Sequence, residues 1–195
     1  MFEIFENYIL PLADLNKEDL TQIRQLATFR KLRKGQYLMQ EGDLCKYKTF
    51  VAKGLLKTYL RKDDGTEFIM RFSPENSWAI DPECFHNQTP SRYNIEAVEP
   101  TEVILWTRDD VLQLFATIPA FRQFSETQIA INMKAHHERI LMNISYSSEE
   151  KYNDFIHNYP DIFRRVPLHM VASYLGVSRE TLSRIRHAQQ QQVKG

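Results

Sequence analysis

Arg179, Glu180 and Arg184 cluster near the carboxyl end of the chain. An arginine fork matches the O6 and N7 acceptors of guanine, and a carboxylate accepts from cytosine N4. Glu180 and Arg184 stand four apart, a spacing at which a helix sets an acid beside a base and can hold the fork in place. The stretch that carries them, LHMVASYLGVSRETLSRIRH over 168–187, reads as two helices with a sharp turn between them. Val171, Ala172 and Leu175 form an apolar face, and Gly176 can take a positive φ where the chain must turn. Val177 plugs the corner, Ser178 caps the second helix, and Leu182 and Ile185 point inward. Arg179, Glu180, Ser183, Arg184 and His187 are left on the outward face. This is a helix-turn-helix, whose second helix enters the DNA major groove. A hairpin built to dock protein would expose apolar anchors there, and this face has none.

No other constellation competes. His136 and His137 are adjacent, about 100° apart around a helix, and cannot comfortably share a metal. Cys45 and Cys84 are too few for a thiolate zinc site or a four-cysteine iron–sulfur cluster, and they fit a reducing cytoplasm. Cys84 and His86 share a loop, where a spectator cysteine is the expected reading. Neither a Gly-x-Ser-x-Gly elbow nor a P-loop occurs. The chain is expected to be no enzyme, with no catalytic residue, no metal and no resident cofactor.

The elements that hold the recognition face fall into three textures. Residues 15–31 read as a helix capped by Asn16, with Leu20, Ile23, Leu26 and Ala27 at helical spacing. From Leu32 to Trp106, short apolar and aromatic runs alternate with turn signals at Gly35, Gly42, Gly54 and Asp64-Gly65. QYLMQEGD, YKTFVAKG, LLKTYLRKDDG and TEFIMRF, with a further pair in RYNIEAVEPTEVILWT, predict a sandwich or barrel. Asn76 to Pro90 breaks that rhythm as a loop or short helix. After Thr107 the pattern turns helical: a short helix over Arg108–Phe115, then Ala120 to about Ser145 with no Gly or Pro. Two apolar stripes run along the longer helix, Phe124, Ile131, Ala135 and Met142 on one, Ile129, Met133, Ile140 and Ile144 on the other. Two stripes predict one contact with the β domain and one with a second subunit. Phe124, Ile131, Ala135 and Met142 are assigned to the dimer contact. Helices follow over Ser148–Asn158 and from Pro167.

Composition agrees with a folded soluble chain. Of 195 residues, 43% are apolar and 26% charged, which excludes disordered, collagenous and disulfide-stapled classes. No run approaches 18 apolar residues, so no membrane span is expected. The amino end, MFEIFENYILPLADL, carries acids where a secretory leader needs bases. The zero net charge conceals an asymmetry: residues 1–161 hold 19 Lys and Arg against 24 Asp and Glu, while 162–195 hold six against one. An acidic body with a basic end directs that end toward a polyanion.

Together, VASYLGVSRETLSRIR and the pattern GQYLMQEGD followed by FVAKG resemble the cyclic-AMP receptor protein/Fnr (Crp/Fnr) family of bacterial transcription regulators over residues ~15–188. The resemblance implies an α+β fold: a cupin-like β-roll (double-stranded β-helix), a long dimerisation helix and a C-terminal helix-turn-helix domain. The divisions are 1–115, 116–147 and 148–195. It also implies a cytoplasmic homodimer that binds double-stranded DNA and engages RNA polymerase, with no membrane partner. By position, Arg179, Glu180 and Arg184 match the family's readers of a TGTGA-type half-site, with Ser178, Thr181, Ser183, His169, Arg164 and Arg165 as phosphate contacts. Six residues between Pro160 and Pro167 leave no room for the family's β-hairpin, so the wing is expected to be reduced or absent. Cyclic-nucleotide binders carry Phe-Gly-Glu and then Arg-Ser; here NSWAIDPECF and PSRYNIEA stand instead, with Ser91 at the arginine position and Arg92 one residue later. A one-residue shift turns a strand side chain to the opposite face. An effector pocket is expected around Ser91, Arg92, Trp78, Arg71 and Glu83, with Lys57 as another substitute cation; it takes an unidentified small molecule rather than cyclic AMP, or nothing, with the dimer binding DNA constitutively. The alternative is a cyclic-nucleotide-binding-like signalling module that acts by protein–protein contact without DNA.

Overall fold

A computed structural model describes residues 1–192, with side chains through Gln189. Lys194, counted above among the basic residues, lies outside the described residues. The order is α1 (Phe2–Ile9), α2 (Lys17–Gln25), β1 (Thr28–Leu32), β2 (Tyr37–Met39), β3 (Tyr47–Lys53), β4 (Leu56–Arg61), β5 (Glu67–Ser73), β6 (Ser77–Ala79), α3 (Pro82–Asn87), β7 (Asn94–Ala97) and β8 (Thr101–Thr107). It continues with α4 (Arg108–Thr117), α5 (Pro119–Ser145), α6 (Ser148–Asn158), α7 (Pro160–Arg165), α8 (Leu168–Leu175) and α9 (Arg179–Gln192).

The strands form two antiparallel four-stranded sheets, ordered β1-β8-β3-β6 and β2-β7-β4-β5. Alternation along each strand builds the roll. Val51, Val103 and Leu105 of the first sheet meet Met39, Leu56, Ile95 and Ala97 of the second in a shared apolar interior. The intervening residues Phe50, Ile104 and Trp106 face the other way, into a second core with α1, α2, α4 and the start of α5. Both faces of the first sheet are therefore covered, which is why β3 and β8 read as nearly continuous apolar runs. Trp106 Nε1 donates to the Ile23 carbonyl at 2.9 Å and ties α2 to the roll. Lys48 is sealed in the same core, its ammonium 4.7 Å from the Trp78 ring and donating to Ser125 Oγ at 2.8 Å. Burial pulls its pKa down to about 8.

Several expectations change here. Residues 28–31 are strand rather than the end of a helix, because Thr28 to Leu32 pair with Leu105 to Thr101. Asn16 does cap α2, in a box with Asp19. The amino-terminal stretch, noted above for its acids, forms α1 and buries Phe2, Phe5 and Ile9. The stripe assigned to the dimer is internal at its two ends: Phe124 sits in the roll-side core at 3% exposure, and Met142 packs at 9% against the C-terminal helices. Of that set, Ile131 and Ala135 are exposed. The other stripe faces solvent, with Ile129 60%, Met133 55%, Ile140 56% and Ile144 79% exposed.

The C-terminal helices pack on the second sheet. Leu55, Tyr59, Ile69 and Phe72 of the roll join Met142, Tyr152, Phe155, Ile162, Val171, Leu175 and Leu182 in a third core. β5 is an edge strand, and its open edge is closed by side chains from the helices. Ser173 Oγ accepts from the Ile69 N–H at 3.0 Å and donates to the Glu67 carbonyl. Arg139 of α5 donates to the carbonyls of Ile69, Met70 and, on α8, Tyr174. Among the described residues no strand follows α5, and α7 joins α6 to α8.

Candidate nucleic-acid interface

The turn between α8 and α9 is built as its residues dictate. Gly176 adopts φ 66°, and the following Val177 N–H donates to the Ala172 carbonyl at 3.1 Å. Ser178 Oγ then accepts from the Thr181 N–H at 3.1 Å and caps α9. Leu182 is fully buried against α8, and Ile185 packs at the margin of the same core. With those two inward, Arg179, Glu180, Arg184 and His187 stand exposed, and Thr181 and Ser183 are half-buried beside them. The helical ion pairs four or three apart are Arg122–Glu126, Lys134–Glu138 and Arg164–Asp161; Glu180 and Arg184 form none among the described residues. The Arg184 fork is thus not held by Glu180 in the free chain, contrary to expectation, and both groups are available to a ligand.

The surrounding basic residues separate. His169 and Arg164 are exposed near the same end of the domain, Arg164 only loosely paired with Asp161 at 3.6 Å. Ser178 is exposed, with its hydroxyl hydrogen-bonded to Thr181. Arg165 turns the other way. Its guanidinium lies 2.8 Å from Glu75 and 2.6 Å from Glu99, both on the roll, with a two-pronged contact to Glu75. Those two carboxylates hold its pKa well above the ordinary arginine value. A fork spent on two carboxylates is not a phosphate contact, and Arg165 is withdrawn from that set.

The five residues expected to form an effector pocket do not converge. Ser91 is buried and donates to Asp81 Oδ2 at 2.6 Å. Arg92 is exposed, as the one-residue shift predicts, and Glu83 is exposed on α3. Trp78 lies in the aromatic core with Phe5, Phe50 and Trp106. Arg71 lies on β5 and donates to Asn132 of α5 at 3.2 Å. Lys57 is buried in ion pairs with Glu67 and Glu96. The residue missed by sequence reasoning is Asp81. It both caps α3 through the Cys84 N–H and accepts from Ser91, so a buried acid and a buried hydroxyl satisfy each other where a ligand would need them free. Its signal was present: Asp81 stands ten residues before Ser91.

A cleft of about 450 Å³ opens between β5, α5, α6 and α8. Arg71, Asn132, His136, Arg139, Phe155 and Tyr174 are among its walls. Burial lowers the pKa of Arg71 and of Arg139, and no carboxylate pairs with either among the described residues. His136 is held below the usual histidine range by burial, then by the Arg71, Arg139 and His137 charges. No helix among the described residues is long and apolar enough to cross a membrane, and no cluster of three metal-ligating side chains occurs among them.

Residues 29–118 match the family model of the cyclic nucleotide-binding domain. The fumarate and nitrate reduction regulatory protein of Yersinia pestis is 27% identical over 183 residues, covering 88% of this chain and 72% of that one. Among solved structures, the c-di-GMP-responsive global regulator CLP of Xanthomonas campestris has a TM-score of 0.76 at 14% identity, over 91% of this chain and 93% of its own. A transcriptional regulator of the Crp/Fnr family from Eubacterium rectale has a TM-score of 0.73 at 18% identity, over 95% and 88%. At those identities the structural likeness speaks for the fold.

Proposed function

We propose that the chain is a transcription regulator of the Crp/Fnr type that binds double-stranded DNA as a homodimer and reads its site through α9. The observation that carries the reading is the exposed face Arg179, Glu180 and Arg184 at the start of a helix set by a glycine turn. Arg179 and Arg184 read guanines in the major groove, and Glu180 accepts from cytosine. Thr181, Ser183, Ser178, His169 and Arg164 meet the phosphates around them. Two copies joined along α5 present two such helices to successive major grooves, so the site is palindromic. The solvent-facing stripe Ile129, Met133, Ile140 and Ile144 forms the contact between copies. The bound dimer acts on transcription through RNA polymerase, and a small-molecule effector adjusts its affinity for DNA.

Selection of bound sequences from a random pool, followed by titration of the winning site, tests the reading. Arg184→Ala is expected to cost about 1–3 kcal/mol on that site and to relax the preference at one base pair. Arg164→Ala is expected to weaken all sequences alike and to reduce the salt slope by about 1. An unchanged base preference in Arg184→Ala would show that α9 does not read the groove in this register.

A further inference from the structure

The cleft between β5, α5, α6 and α8 contains two guanidinium groups without a counter-ion among the described residues. Arg71 makes a single side-chain bond, to Asn132 Oδ1, and the rest of its fork is free. Arg139 spends its terminal nitrogens on three backbone carbonyls, while its buried Nε has no partner. By contrast, Arg165 has Glu75 and Glu99, Lys57 has Glu67 and Glu96, and Lys48 has Ser125. Burying a guanidinium without an anion is costly, and an arginine cannot shed its proton to escape that cost. Glu138 and Asp154 also border the cleft, but neither comes within ion-pair distance of Arg71 or Arg139. The rings of Phe72, Phe155 and Tyr174 line the same cleft, packed on one another, and the Arg139 guanidinium lies 4.0 Å from the centre of the Tyr174 ring. A guanidinium fork takes an oxyanion through two parallel hydrogen bonds, and aromatic walls take a flat apolar body. The volume is that of a small-molecule site.

We propose that this cleft is the effector site, and that its ligand is a small aromatic oxyanion, a carboxylate or a phosphate ester, whose charged head lies against Arg71. The proposal deepens the effector part of the reading above and does not depend on how α9 reads DNA. Its place differs from a cleft of about 410 Å³ at the roll, lined by Met39, Cys45, Ala79 and Ile95 and holding no arginine, and from the Asp81–Ser91 pair, which is closed on itself. A ligand here touches the roll, the long helix and the DNA-reading domain at once, so it favours whichever mutual arrangement gives it all three contacts.

Isothermal titration of the full chain with benzoate, phenyl phosphate and neutral benzamide, at constant ionic strength and without DNA, tests the site. Saturable binding of at least one anion is expected, with none for benzamide; which anion binds more tightly identifies the headgroup. Arg71→Gln is expected to weaken that binding at least tenfold, Arg71→Lys to restore part of it, and Arg92→Gln, on the exposed segment, to leave it unchanged. Melting temperatures without ligand confirm that the variants are folded. Absence of binding by both anions, equal binding of benzamide, or an affinity in Arg71→Gln within twofold of the parent overturns the proposal. DNA titrations of the same preparations without ligand keep a failure here separate from a failure of the DNA reading.

Discussion

Arg164 and Arg165 are adjacent, and sequence position gave both the same role. A helix points neighbours about 100° apart, and α7 sends one to solvent and the other to the roll. Arg165 bridges two roll carboxylates, so Arg165→Ala leaves Glu75 and Glu99 facing each other. The expected loss at pH 7 is about 1–2 kcal/mol, the lower part of the range for charged hydrogen bonds because solvent screens the site. The pH dependence follows from Glu75. Burial would raise its pKa, but the Arg165 hydrogen bonds outweigh that and hold it below the ordinary carboxylate value. A depressed folded-state pKa means that the stabilisation is present above the ordinary carboxylate pKa and is lost as pH falls through the depressed value. The gap between parent and Arg165→Ala in urea unfolding is therefore expected to be full at pH 7 and to shrink in acid. A gap independent of pH would mean that the Glu75 contact contributes little.

Two glycine turns separate what the elements need from what they tolerate. Gly54, between β3 and β4, has φ 94°, and a Cβ there would stand 2.6 Å from the Pro100 carbonyl and 2.7 Å from Thr101 Cα. Gly176 has φ 66° with open space around it. Gly54→Ala is expected to cost about 3 kcal/mol or more, from backbone strain and overlap together, and Gly176→Ala about 1–2 kcal/mol from the backbone alone. Urea titrations of both variants check the order. Such punctuation made most elements readable in sequence: glycines marked the hairpins, and the turn glycine, the cap and the helical period marked α8 and α9. β1 was not readable, because its pairing with β8 overrides a weak local pattern continuous with α2. The two stripes of α5 were visible, but which one is internal depends on how the helix lies on the roll, and nothing local records that. The pocket failed for a similar reason: Trp78 and Arg71 belong to neighbouring strand segments, but Trp78 enters the aromatic core while Arg71 faces the cleft beside α5.

The assembled molecule leaves one long apolar face bare. Ile140→Glu, at a position 56% exposed within the chain, is expected to convert the dimer to a 23.1 kDa species in sedimentation without altering helical content. Phe124→Ala, in the roll-side core, is expected instead to cost about 3–5 kcal/mol of stability and to leave assembly intact. The reverse pattern would return the dimer contact to the stripe first assigned.

Ser173 and Arg139 together seal the open margin of β5, and the helices beyond them cover Tyr59, Ile69 and Phe72. The helices that present α9 to a groove therefore have a second duty, as a lid over a sticky border. Cut the chain after α5, and the shortened piece keeps Arg139 but loses Ser173, so that the Glu67 carbonyl and the Ile69 N–H are bared beside apolar side chains, a template on which the strand of another copy can add. The roll is thus protected from self-association by the helices that follow it. A fragment meant for ligand work has to run through Leu175 to stay dispersed.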